Sequence, residues 1–98
     1  MNKVIETLEI REQLWHVNYE NGLTLSISTG PGSYSQKMHG IPVTVEVAVL
    51  DENSFVPLTE WDDVAHIPIA EFEELCAKME ELSSDKSEAM LEIRHYLS

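Results

Sequence analysis

Ninety-eight residues are enough for one domain with a modest core, and a hydrophobic fraction of 43% is that of an ordinary globular chain. Eighteen acids against six bases leave a net charge of −12, a field that repels nucleic acid and anionic membranes and attracts basic surfaces. The imbalance is uneven: residues 1–50 carry five acids and three bases, residues 51–98 thirteen and three.

A single cysteine, Cys76, excludes an internal disulfide. No apolar run approaches the roughly 20 residues of a membrane span, and Glu6 and Glu9 interrupt any secretory leader. The expected compartment is a reducing cytoplasm.

In chain order, residues 4–10 alternate loosely, with Val4, Leu8 and Ile10 on one face and Glu6 as an exception; a strand is expected, a short helix being the alternative. Trp15, Val17 and Tyr19 then share a face, and Leu23, Leu25 and Ile27 alternate with Thr24, Ser26 and Ser28. Asn21-Gly22 between these runs predicts a β-hairpin, since both residues tolerate positive φ. Three glycines and two prolines in residues 29–42 predict a long irregular connection, a common place for binding residues. Val43, Val45, Val47 and Val49 form one β-branched face and predict a core strand. Residues 51–54 read as a turn and 55–58 as a short edge strand, because Pro57 lacks a donor.

The segment 60–82 combines the densest charge with the clearest periodicity. At about 100° per residue, Ile69, Phe72, Leu75, Cys76, Met79 and Leu82 fall on one side and Glu73, Glu74, Ala77, Glu80 and Glu81 on the other. This predicts a helix over 70–82, with Pro68 tolerated at its start. Glu80 and Glu81 stand near its C-terminus, where negative charge costs about 0.3–1 kcal/mol each, so local stability does not account for them. Asp85 with Glu88 three residues on resembles a capping box and predicts a second helix over 86–96 with Ala89, Met90, Ile93 and Leu97 as its stripe. Strands first and helices last give a single α+β domain, an antiparallel sheet of three to five strands with two C-terminal helices packed on one face.

No catalytic motif stands in the chain, and no enzyme activity, metal or cofactor is expected. His16, His39, His66 and His95 lack metal-ligand spacing. Asp62 and Asp63 are adjacent, so on an extended chain they point apart. The Gly30-Pro31-Gly32-Ser33 turn lacks the lysine and helix of a phosphate-binding loop. Cys76, on the apolar stripe, reads as a small core residue. Trp61, flanked by Glu60, Asp62 and Asp63, is a core anchor or an interface residue, and Tyr34 marks the 29–42 loop as a contact surface.

The succession of Asn21-Gly22, Gly32-Ser33-Tyr34-Ser35, the strand 46–50, Asp62-Asp63-Val64 and the Glu-rich helix 71–82 resembles short acidic proteins of phages and prophages, the class that includes the anti-CRISPR proteins. The resemblance leaves out the C-terminal capped helix and carries no catalytic residues. It implies a non-enzymatic inhibitor of a host defence system that binds a basic, nucleic-acid-handling surface of a CRISPR effector. Glu60, Asp62, Asp63, Glu73, Glu74, Glu80, Glu81 and Tyr34 are the expected contact residues. The other expectations are a self-associating accessory phage domain, an antitoxin or immunity protein with a basic toxin as partner, and a small-ligand binder using the 29–42 loop. The chain is expected as a monomer or homodimer.

Overall fold

The computed structural model describes residues 2–11, 13–29, 37–38, 41–42, 44–52, 54–56 and 64–97. The strands are β1 (Val4–Arg11), β2 (Leu14–Tyr19), β3 (Leu23–Ser28), β4 (Lys37–Met38), β5 (Ile41–Pro42), β6 (Thr44–Asp51), β7 (Ser54–Phe55) and β8 (Val64–Pro68). A 3-10 turn (Ile69–Glu71) leads into α1 (Phe72–Glu81), and α2 (Lys86–Leu97) follows. Six strands form one antiparallel sheet in the order β1-β2-β3-β6, with β7 and β8 both pairing β6. The sheet is one strand larger than expected, and the two helices cover one face of it, giving the α+β fold.

The extra strand is β8, inside the segment whose charge drew attention to its helix. Its Ala65 and Ile67 pair with Val47 and Val45 and join the core, while His66 lies across from Glu46 on the other face, at 3.6 Å. Pro68 closes β8 and caps the 3-10 turn, two places where a missing N–H is tolerated. That turn takes up Ile69 to Glu71, so α1 begins two residues later than its periodicity suggests. Within the connection predicted to be irregular, β4 and β5 pair with each other. Pro57 and Leu58, expected in the strand after the 51–54 turn, and Val43 lie outside the described residues.

The 14–28 hairpin forms as predicted, with Val17 opposite Leu25 and Trp15 opposite Ile27, but its turn differs. Three residues connect the strands rather than two, and Gly22 alone takes a left-handed φ, at 89°. Its N–H donates to the Tyr19 carbonyl at 3.1 Å. Asn21 contributes its side chain instead of a positive φ: its Oδ1 accepts from the Leu23 N–H at 3.0 Å. A three-residue hairpin with glycine at the left-handed position is the next commonest solution after the two-residue turn.

The core is the helix-facing side of the sheet. Leu23, Leu25, Val47 and Val49 are buried against Leu75, Met79 and Leu82 of the α1 segment and Ala89 and Ile93 of α2. Met90 and Leu97 are half-buried beside them, as the stripe of α2 predicts. Phe72 and Cys76 are only half-buried and Ile69 is exposed, so the stripe of α1 is turned with Leu75 and Met79 at its centre.

Two asparagines tie the ends of these elements together. Asn2 is 1% exposed; its Nδ2 donates to the Met79 carbonyl at 2.7 Å, its backbone N–H to the Glu80 carbonyl at 3.0 Å, and its Oδ1 accepts from the Asn21 N–H at 3.0 Å. Asn21 Nδ2 in turn donates to the Ser83 carbonyl at 3.2 Å. Carbonyls in the last turn of a helix have no partner within it, and here Asn2 supplies two.

The start of α2 is capped as predicted, with Glu88 N–H donating to Asp85 Oδ1 at 3.0 Å. The reciprocal half of the box is relayed: Ser83 Oγ donates to Glu88 Oε2 at 2.9 Å and accepts from the Asp85 N–H at 3.1 Å. Lys86 crosses to the sheet, where its Nζ meets Asp51 Oδ1 at 2.8 Å, and the hydrogen bond to that carboxylate raises its pKa.

Candidate functional site

Among the described side chains none of β1 joins the core, and β1 has a neighbouring strand on one side only among the described residues. Val4, Ile5, Leu8 and Ile10 are 43%, 66%, 42% and 49% exposed. The register slips between Val4 and Glu6 and again between Glu9 and Arg11, leaving Ile5 and Ile10 as the inserted residues of two bulges. Bulges are a usual protection of a sheet edge, and charged side chains commonly accompany them; here the inserted residues are apolar.

Between β1 and α1 the described residues leave a groove of about 490 Å³. Trp15, Val17 and Tyr19 of β2, with Ile27 and Val45, make its floor. Val4 and Thr7 stand on the β1 side, Ile69, Phe72, Cys76 and Glu80 on the helix side. Among the described residues Glu80 is the one charged residue in this lining, and no described lysine or arginine belongs to it. A smaller hollow of about 280 Å³ lies at the other flank of α1, bordered by Glu71, Glu74, Leu75, Tyr96 and Leu97.

Glu73, Glu74, Glu80 and Glu81 are all exposed on α1. Helical spacing sorts them into two columns separated by Ala77. Glu73 and Glu80 run along the groove side, while Glu74 and Glu81 face away, toward the side of Lys78. The Lys78 ammonium lies 6.0 Å from the centre of the Tyr96 ring, near the outer limit of a cation–π contact. Glu60, Trp61, Asp62, Asp63, Tyr34, His39 and the Gly30-Pro31-Gly32-Ser33 turn lie outside the described residues. The structure thus brings four of the eight expected contact residues together on one helix.

Burial, and then the negative charges of Glu80 and Glu73, push the Cys76 thiol pKa up. Burial, then Cys76 and Glu80, does the same to the Tyr19 phenol. Both groups keep their protons at neutral pH, and the thiolate is the reactive form of cysteine. Cys76 should therefore react with iodoacetamide several-fold more slowly than free cysteine at pH 7.5, and at the free rate in denaturant; equal rates with and without denaturant would refute this. The sign for stability follows: the unfolded chain ionises first as pH rises past the ordinary thiol and phenol range, so the contribution of these groups is complete below that range and is lost above it.

Among the described residues, no group of three or more His, Cys, Asp and Glu side chains is placed to hold a metal ion, and no helix is long and apolar enough to cross a membrane. No family model, curated protein or solved structure matches this chain. Sequence reasoning found the acidic face through helical spacing and missed the groove. Trp15, Val17 and Tyr19 were legible as one apolar face; that, among the described residues, Tyr19 would be buried while Trp15 and Val17 stayed half-buried at a groove was not.

Proposed function

We propose that this chain is a non-enzymatic binding protein that covers a basic, nucleic-acid-handling surface of another protein, acting in the host cytoplasm as a defence inhibitor of anti-CRISPR type. The observation that carries this reading is the exposure of Glu73, Glu74, Glu80 and Glu81 on α1 in a chain of net charge −12. Glu80 and Glu81 work against their own helix, which is understandable where their function is to meet positive charge. The mechanism is electrostatic steering followed by steric block of the groove that would hold nucleic acid.

The test is capture of purified CRISPR effectors by the immobilised chain at low and high salt, beside a variant carrying Glu73→Gln, Glu74→Gln, Glu80→Gln and Glu81→Gln. Capture should weaken by about tenfold or more as salt screens the exposed charges, and the variant should lose it. Absence of capture at both salt concentrations would defeat the inhibitor reading. The exposed β1 edge favours a second reading, a self-associating accessory domain; concentration-dependent dimer formation without effector capture would select it.

A further inference from the structure

The groove between β1 and α1 is a surface that an acidic helix alone does not use. We propose that it seats an extended basic segment of the partner protein, with one or two large apolar side chains entering the groove and an adjacent lysine or arginine meeting Glu80 and Glu73. The inference rests on the acidic-face reading and names the kind of segment that face recognises.

Size and lining indicate the apolar part. About 490 Å³ lies within the roughly 300–1,000 Å³ typical of binding clefts and exceeds what one side chain fills. The mouth is apolar on both sides, with Val4 43% and Ile69 45% exposed.

Charge decides the rest. An apolar occupant without a cation would strip water from Glu80 and return nothing, whereas a cation restores its partner. Glu73 stands two turns before Glu80 on the same side, and the negative pole of α1 lies at the Glu80 end. Negative potential reaches into the groove, since Glu80 helps hold the protons on Cys76 and Tyr19. Fatty acids and acidic peptides are disfavoured by the same field.

The bulges at Ile5 and Ile10 confine regular backbone pairing along β1 to the four residues between them. Side-chain insertion rather than a long added strand therefore carries the affinity.

Calorimetry on the full chain with three synthetic peptides tests this. The first is Lys-Phe-Lys-Leu-Lys-Phe-Lys; in the second serine replaces its apolar residues, and in the third glutamate replaces its lysines. Cys76 is the only cysteine and lines the groove, so its alkylation rate at pH 9 reports occupancy. The first peptide should bind at least tenfold more tightly than the other two and slow alkylation of Cys76. Thr7→Arg alone, and Glu73→Lys with Glu80→Lys, should each weaken it at least tenfold. All three positions are exposed, and circular dichroism checks that the variants are folded.

Equal binding of the first two peptides without protection of Cys76 overturns the groove proposal and leaves the acidic-face reading standing. Failure of both basic peptides overturns the two together. Equal binding of the first and third peptides overturns the requirement for a cation and with it the proposal.

Discussion

Asn2→Ala should lower stability by roughly 2–4 kcal/mol, because it leaves the Met79 carbonyl and the Asn21 N–H buried without partners at a cost of about 1–3 kcal/mol each. For a domain of this size each kcal/mol moves the melting temperature by about 4–8 °C, so the expected fall is roughly 10–25 °C. Asn2→Asp keeps the shape and should fare no better. It loses the donor to Met79 and brings a negative charge to the carbonyl end of α1, beside Glu80. A melting temperature within two or three degrees of the unsubstituted protein, for either variant, would show that these hydrogen bonds do not hold α1 to the hairpin turn.

Met79→Ala should cost about 2–5 kcal/mol, the range for a methionine emptied from a closed core. Met79 has no exposed surface and belongs to the one buried cluster that holds the sheet residues Leu25 and Val47 and the α2 residues Ala89 and Ile93. Phe72→Ala, judged from sequence periodicity alone, should cost about 3–5 kcal/mol as a fully buried phenylalanine would. Phe72 instead stands half-buried at the groove, where truncation enlarges an existing space rather than opening a closed one. Its cost should be about 1–2 kcal/mol, less than that of Met79. Urea midpoints of the two variants decide the order. A larger loss for Phe72 would mean that α1 is rotated about its axis relative to the arrangement described.

The parts of the fold that were legible in the sequence are those where two signals agree. In the 14–28 hairpin, strict alternation meets a turn sequence; at α2, a cap meets a stripe. β1 was ambiguous because Val4, Ile5, Leu8 and Ile10 follow neither period cleanly, and the structure supplies the reason: two bulges shift the phase of the strand twice within eight residues. β8 was missed because Val64 to Pro68 is short, carries a proline, and is buried only in part. Its signal, Ala65 and Ile67 alternating with His66, was overshadowed by the charge on either side. The rotation of α1 depends on which half of its stripe meets the sheet, a tertiary choice that periodicity does not contain. The groove was illegible for the same reason, since it is a gap between β1 and α1, among the described residues, rather than a pattern in any one segment.

The Asn21-Gly22 turn also governs how the molecule ages. An asparagine followed by glycine is the pair most prone to deamidation, through attack of the glycine nitrogen on the asparagine side-chain carbonyl. In the folded chain that nitrogen is engaged with the Tyr19 carbonyl, and the Asn21 amide is held at both ends, by Leu23 and Ser83. Ring closure then requires the turn to open, so the chemical lifetime of Asn21 is set by the opening equilibrium rather than by the intrinsic reactivity of the pair. Each molecule that does react gains a carboxylate in place of the donor to Ser83. The lesion weakens the tie that had protected the site, and damage, once begun, promotes further opening.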